Sequence, residues 1–353
     1  MLKKLSHTKK MINKIEPTQP PMFQIAWEST LKCNLDCSYC GDGHDNSQAH
    51  PSLEDSLKTV DFIVAYVDRY MQNRPEEQRI ANLNIQGGES IYHPNIVEIL
   101  EYANRQQVDY TLYVNLITNA VAAPKLWSSI APLINYFTIS YHAESLDWQR
   151  EQVRDNILHL QSLGKGFHVA ILMHPDHWKD CIDMIKWCVA NNISYHKRQI
   201  DHAPTDTRFN YTSAQAEFLS PKKIIPIVEE RVDLSSQGRA CCGGLELCTN
   251  EITATTYIPG NSFEGWHCSV NQYFLYIRQS TGEIFTNKDC KMNYQGTVGP
   301  IGNLNNVEAL LSQPTVTDIV CKKSTCWCGL CAPKARDEFD YTAMMQQYWT
   351  KAD

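Results

Sequence analysis

The chain has 353 residues, 43% of them apolar and 20% charged, and a formal net charge of −7. Such a length suits one large domain and a smaller one, with enough chain to bury a core. The mildly acidic balance lacks the basic footprint of a nucleic-acid binder, no run of about 18 apolar residues offers a membrane span, and the basic segment Met1–Lys14 has no apolar stretch of the kind a secretory signal needs; neither nucleic acid nor membrane is expected as a partner, and the expected location is cytoplasmic.

After an N-terminal extension (residues 1–21), short apolar runs alternate with amphipathic stretches. The runs predict strands at Phe23–Trp27, Ile80–Gln86, Tyr110–Thr118, Tyr136–Tyr141, His168–His174 and Ile193–Ile200. Helical spacing fills the intervals. The first helix carries the stripe Leu53, Leu57, Val60, Ile63, Val64, Val67, Met71, and Ser52 with Asp55 three residues on makes a capping-box-like start. Others run through Asn95–Arg105, Pro124–Ala131, Leu146–Leu163 and Trp178–Ala190. Repeated βα units give a parallel sheet, open or closed, with sites at the C-terminal strand ends where the βα loops gather. The pattern changes after Asp201. A polar stretch, Thr205–Gln237, holds one predicted helix near Pro221–Val232; Tyr273–Arg278, the turn Ser280-Thr281-Gly282 and Glu283–Thr286 then read as a hairpin, and Asp337–Tyr348 as a final helix.

Cysteine usage is the anomaly: fourteen in all, three near the start and nine after residue 240. A large chain without an export signal is not a disulfide scaffold, so reduced thiols, many of them metal ligands, are the better reading. Cys33-Asn-Leu-Asp-Cys37-Ser-Tyr-Cys40 directly follows the first strand. Three thiolates so spaced can wrap one compact loop around a metal centre. Four cysteines would close a zinc or cubane site, whereas three on a [4Fe–4S] cluster leave one iron open. A zinc knuckle completed by His44, or simple core packing, would use the same residues. Cys181 and Cys188 differ, since they share the helical stripe Trp178, Cys181, Ile182, Ile185, Cys188, Val189, where free cysteine acts as a small hydrophobe.

With that loop after strand one, residues 22–200 resemble the radical S-adenosylmethionine (SAM) superfamily, whose CxxxCxxC loop follows the first strand of a partial (β/α)6 barrel. The resemblance implies that Cys33, Cys37 and Cys40 hold a [4Fe–4S] cluster, that its open iron binds SAM, and that Tyr39 lies beside the adenine. Gln86-Gly87-Gly88-Glu89, ending strand two, is similar to the family's GGE motif; glycine lets backbone approach a ligand, and the Glu89 carboxylate can accept a hydrogen bond from the SAM ammonium. Asn119 and Ser140, ending strands three and four, match positions that hold the SAM carboxylate or ribose in related enzymes, and would serve equally as a turn residue and a strand-end cap.

The C-terminal part also resembles known extensions. Cys268 precedes the hairpin, Cys290 follows it, and Cys321-x4-Cys326-Trp-Cys328-Gly-Leu-Cys331 comes later, a layout similar to the twitch and SPASM domains that carry auxiliary [4Fe–4S] clusters. The full SPASM spacing is not matched, so a small α+β twitch-like domain over residues 236–353, after a barrel over 22–235, is the expectation. Cys268, Cys290, Cys328 and Cys331 are the expected auxiliary ligands; Cys326 could replace Cys328, Cys321 or Cys248 could join them, and a structural zinc could take the same set. Cys241 or Cys242 could return a hydrogen atom to a substrate radical, as a thiol does in some radical SAM peptide epimerases.

The resemblance implies an enzyme that cleaves SAM to a 5′-deoxyadenosyl radical, with a flavodoxin or ferredoxin as electron donor. The expected substrate is a peptide or protein side chain, undergoing oxidation, cross-linking or epimerisation; a small polar metabolite such as an amino sugar is the alternative, and a zinc-stabilised binding module is the reading from another class. With about twenty residues before strand one, no N-terminal peptide-recognition domain is expected; a leader peptide would need a separate binding protein, or the substrate is small. His142, His174 and His196 lie near strand ends, where they could line the pocket, and Lys197-Arg198 near strand six could hold an anionic group or be solvated.

Overall fold

The computed structural model of the chain describes residues 14–15, 22–40, 45–200, 209–219, 263–288, 298–316, 318–322 and 332–349. Its first half alternates strand and helix: β1 (Phe23–Glu28), α1 (Leu53–Met71), β2 (Ile80–Gln86), α2 (Ile96–Asn104), β3 (Thr111–Thr118), α3 (Pro124–Ile130), β4 (Tyr136–His142), α4 (Asp147–Ser162), β5 (Gly166–Leu172), α5 (Trp178–Ala190) and β6 (Tyr195–Arg198). A short helix α6 (Ser213–Leu219) follows, then the hairpin β7 (Phe274–Arg278) and β8 (Glu283–Phe285), β9 (Gly302–Asn303), α7 (Val307–Leu311) and α8 (Glu338–Trp349). The predicted α1 start holds: the Ser52 hydroxyl accepts from the Asp55 N–H at 3.0 Å, with Glu54 and Asp55 in the first turn facing the positive end of the helix dipole. The helix predicted near Pro221–Val232 lies outside the described residues.

β1 to β6 pair in sequence order, all parallel, as a chain of right-handed βα units requires. This is the α/β fold of a partial barrel. The hairpin predicted after residue 236 continues the same sheet, because β7 lies parallel to β1 and β8 and β9 extend it antiparallel. Gln279 locks that junction: its side-chain carbonyl accepts from Trp27 Nε1 at 2.9 Å and from the Thr59 hydroxyl at 2.8 Å. Two strands depart from their predicted bounds. β5 starts at Gly166, in register with Tyr136, and stops before Met173, whose N–H instead bonds the carbonyl of Arg198 at 2.9 Å. β6 is trimmed to four residues.

Successive side chains on a strand face opposite ways, and here the two faces differ in chemistry. Phe23, Ile25 and Trp27, with Leu83, Ile85, Leu116, Phe137, Ile139, Val169 and Ile171, are fully buried and pack against α1 to α5 in one core. Cys181 and Cys188 of α5 belong to that core, both at 0% exposure, as the helical stripe predicts. The inner face is polar. Gln24 aligns with Asn82, Glu28 with Gln86, Asn84 with Asn115, Thr138 with His168, Ser140 with Ala170 and then His196, and His142 with Leu172 and then Arg198.

A second, small sheet is built of two-residue strands in the order Lys14–Ile15, Lys334–Ala335, His267–Cys268, Ile319–Val320. Cys268, Val270, Tyr273, Ile319, Ala335, Tyr341 and Met344 form its core, to which α8 contributes. Among the described residues no helix is long and apolar enough to cross a membrane.

Candidate active site at the C-terminal rim of the barrel

The loop Cys33–Cys40 leaves β1 at the C-terminal edge of the sheet, and the ends of β2, β3 and β4 hold it in place. Its root is clamped by backbone. Gly88 N–H donates to the carbonyl of Thr30 at 2.8 Å, and Glu89 N–H to that of Lys32 at 2.7 Å. A Cβ on Gly88 would stand 2.3 Å from the Lys32 carbonyl oxygen, and one on Gly87, whose φ is +152°, 2.3 Å from that of Thr30. Glycine is required here because two chain segments meet, so in this structure the close approach is made to the cysteine loop.

Glu89 is 1% exposed. Its carboxylate accepts from the N–H groups of Ile91 at 3.3 Å and Asn119 at 2.6 Å. Burial pushes its pKa up to about 7. The carboxylate therefore ties the end of β2 to the end of β3, and both its oxygens are engaged there. Asn119 passes the link onward: its amide donates to Asn34 Oδ1 at 2.8 Å and reaches Cys33 Sγ at 3.9 Å, while Asn34 donates to the carbonyl of Val121 at 2.7 Å. Cys33 N–H donates to Asn46 Oδ1 at 3.0 Å, and the Cys33 sulfur accepts the N–H of Leu35 at 3.4 Å.

The far half of the loop is held by β4. His142 Nδ1 lies 3.2 Å from Cys37 Sγ and 2.9 Å from the Tyr39 hydroxyl, and the Tyr39 and His142 rings stack at 5.9 Å and 9°. Burial, with Arg198 adding to it, takes the His142 pKa down to about 4, so the imidazole is neutral. Two residues on, Glu144 accepts from the Ser38 N–H at 2.7 Å and the Ser38 hydroxyl at 2.9 Å, and stands 3.8 Å from His174. Tyr39 is 7% exposed, with His174 and Phe209 against it. Ser140 is half-buried on the inner face between Thr138 and His142.

Cys33, Cys37 and Cys40 are all half-buried free thiols. Burial pushes Cys33 up to about 11, and Cys37 higher still, with the neighbouring thiols and Glu144 or Glu89 acting in the same sense. Such thiols ionise when a metal supplies the positive charge that burial withholds. Among the described residues no three His, Cys, Asp or Glu side chains converge on a single-ion position. The donor set nonetheless fits an iron–sulfur cluster: three sulfurs on one short loop, with N–H donors of Leu35 and Asn119 near Cys33 of the kind that tune such clusters.

Sequence reasoning had placed Tyr39, Gly87, Gly88, Glu89, Asn119 and Ser140 at this rim. It missed Asn34, Asn46 and Glu144, whose partners lie 85, 13 and 106 residues away. Of the expected auxiliary ligands, Cys268 is buried, in register with Ile319 and Lys334. Cys321 is buried beside Phe263 and Trp266. Cys241, Cys242, Cys248, Cys290, Cys326, Cys328, Cys331 and His44 lie outside the described residues.

Residues 27–194 match the family model described as "Radical SAM superfamily". Among solved structures the chain is similar to Streptococcus suis SuiB bound to S-adenosylmethionine, with 12% identity and a TM-score of 0.51, covering 83% of this chain and 66% of SuiB. It is also similar to native anSMEcpe with bound AdoMet and the Cp18Cys peptide, with 12% identity and a TM-score of 0.50, covering 84% of this chain and 81% of that one. The chain thus spans about two thirds of the length of SuiB. No curated protein matches it. Residues 27–194 form a domain of the radical SAM superfamily, a family whose enzymes work with SAM and a [4Fe–4S] cluster.

Proposed function

We propose that this chain is a radical SAM enzyme that takes a hydrogen atom from a peptide or protein side chain, leading to oxidation, cross-linking or epimerisation. The observation that carries the reading is the three-cysteine loop, pinned from β2, β3 and β4 at the rim of a barrel whose inner face is polar. Cys33, Cys37 and Cys40 would hold the radical cluster. Cluster and SAM, when bound, supply a 5′-deoxyadenosyl radical able to take hydrogen from unactivated carbon.

The protein's own groups have separate tasks. His142, neutral and buried, orients the Cys37 sulfur and the Tyr39 ring at once. Glu144 fixes the loop between them through both polar groups of Ser38. Asn119 and Leu35 place N–H donors near the Cys33 sulfur, which favours its charged form. The apolar packing behind the sheet keeps these groups in register and bars water from that side. Cys268 with Cys290, Cys328 and Cys331 would hold an auxiliary cluster, and the peptide-bound anSMEcpe relative supports the choice of a peptide substrate.

The test is anaerobic reconstitution with iron and sulfide, followed by dithionite and SAM. About eight irons per chain, four per cubane, with release of 5′-deoxyadenosine is the expected outcome, and Cys33→Ala is expected to abolish the release. Zinc in place of iron, with SAM left intact by a folded sample, would overturn the reading.

A further inference from the structure

The two basic residues that close β6 are turned apart by the strand. Lys197 points outward: its ammonium donates to the carbonyl of Phe218 at 2.6 Å and stands 4.2 Å from that ring's centre. Arg198 starts from the inner face, in register with Leu172, which is in register with His142. Its charge acts on both His142 and His196, which share that face of the sheet with it. Among the described residues no acidic side chain pairs with it.

Three glutamates near the rim are committed elsewhere. Glu28 is held by Tyr276 at 2.8 Å and Arg278 at 3.2 Å. Glu144 is held by Ser38, and Glu89 by two backbone N–H groups. An exposed guanidinium on the polar inner face of the sheet, with no acidic partner among the described residues, is a fork of donors that matches a carboxylate. With Lys197 turned away, β6 presents one positive charge to this face, which suits a singly charged carboxylate better than a doubly charged phosphate. His196, two residues earlier on the same face, keeps Nε2 buried without a hydrogen-bond partner and adds a second polar contact.

We propose that Arg198 is the specificity-determining residue of the substrate site, selecting a peptide that bears an acidic side chain, Asp or Glu, near the carbon that loses hydrogen. The inference rests on the peptide-modifying reading and names the substrate class for it.

Iron-loaded, full-length protein with SAM and no reductant is titrated calorimetrically with blocked pentapeptides that differ only at the central residue: Glu, Gln or phosphoserine. A fourth peptide carries Gln and a free C-terminus. The wild type is expected to bind the Glu peptide at least about tenfold more tightly than the Gln peptide, the size of a charge-assisted hydrogen bond. Arg198→Met removes that preference, and Arg198→Lys, a point charge without the fork, keeps part of it. In the same three proteins, peptide-free 5′-deoxyadenosine formation keeps one dependence on SAM concentration. Equal binding of the Glu and Gln peptides overturns the proposal, as does tighter binding of the phosphoserine or free C-terminal peptide. A raised SAM requirement in Arg198→Met does so too, by giving the guanidinium to SAM. If neither peptide binds, the proposal falls together with the peptide reading, while SAM cleavage is scored on its own.

Discussion

The two faces of the sheet use the same backbone for opposite purposes. The helix-covered face is closed and apolar, and among Phe23, Ile25, Trp27, Leu83, Ile85 and Phe137 the single polar group, the Trp27 indole N–H, is taken up by Gln279. The inner face is a ladder of amides, hydroxyls and imidazoles in which Asn84 donates to Gln24 Oε1 at 3.2 Å and accepts from Asn115 at 3.3 Å. Some of its polar atoms, Gln24 Nε2 and Asn115 Oδ1 among them, are buried and have no hydrogen-bond partner. Buried apolar area stabilises the fold in proportion to its extent, whereas unsatisfied polar groups cost free energy. One face thus holds the barrel together, and the other gives up stability to keep donors and acceptors available.

Substitutions on the two faces are expected to separate these roles. The largest effect belongs to the closed face: Phe137→Ala, opposite Trp127 at 5.9 Å, is expected to lose about 3–5 kcal/mol. Urea unfolding checks this, while iron bound per folded chain stays unchanged. Glu89, on the seam between faces, comes next. Burial raises its carboxyl from 4.5 to about 7, so the folded chain keeps a proton there that the unfolded chain has largely released by about pH 5. The stability it contributes is full below the unfolded value and is lost as pH rises through about 7. Between about pH 5.5 and 8, Glu89→Gln is expected to gain ~1–3 kcal/mol on the wild type in the cluster-free protein. A difference that stays flat across that range would mean the carboxylate is already ionised at the lower pH. Ser140→Ala on the inner face is the smallest in stability, within about 0.5 kcal/mol, and its expected effect is a higher SAM concentration for half-maximal 5′-deoxyadenosine. An unchanged SAM dependence would remove Ser140 from the cofactor site.

The closed face and the cysteine loop were legible in the sequence because both are local signals. Period-two and helical spacings found β1 to β6 and α1 to α5 to within two residues at either end, and the Ser52–Asp55 cap was visible as a pair. The contacts that assemble the rim are not local. Glu144 meets Ser38 across 106 residues, and nothing in the Tyr-His-Ala-Glu run announces which loop it will hold. Gly87-Gly88 was legible as a close-approach motif but not the segment it approaches. Glu89 was read as a group facing the cofactor, while the fold engages both its oxygens with backbone. The hairpin was evident from its turn, but its docking on β1 depends on an edge some 250 residues earlier, which a turn signal cannot name.

That docking also sets an order of events in synthesis. β1 gains its neighbour β2 within the next sixty residues, but its other edge stays open until β7 has been made. At about 5–20 residues per second that is a delay of roughly 10–50 s. Until then the strand that roots the cysteine loop offers unpaired N–H and C=O groups, the kind of edge that recruits foreign strands, and the indole of Trp27 has yet to meet Gln279. The strand that roots the loop therefore has both edges covered only in a chain made past Gln279, and aggregation of the nascent chain through the open edge is the hazard that precedes it.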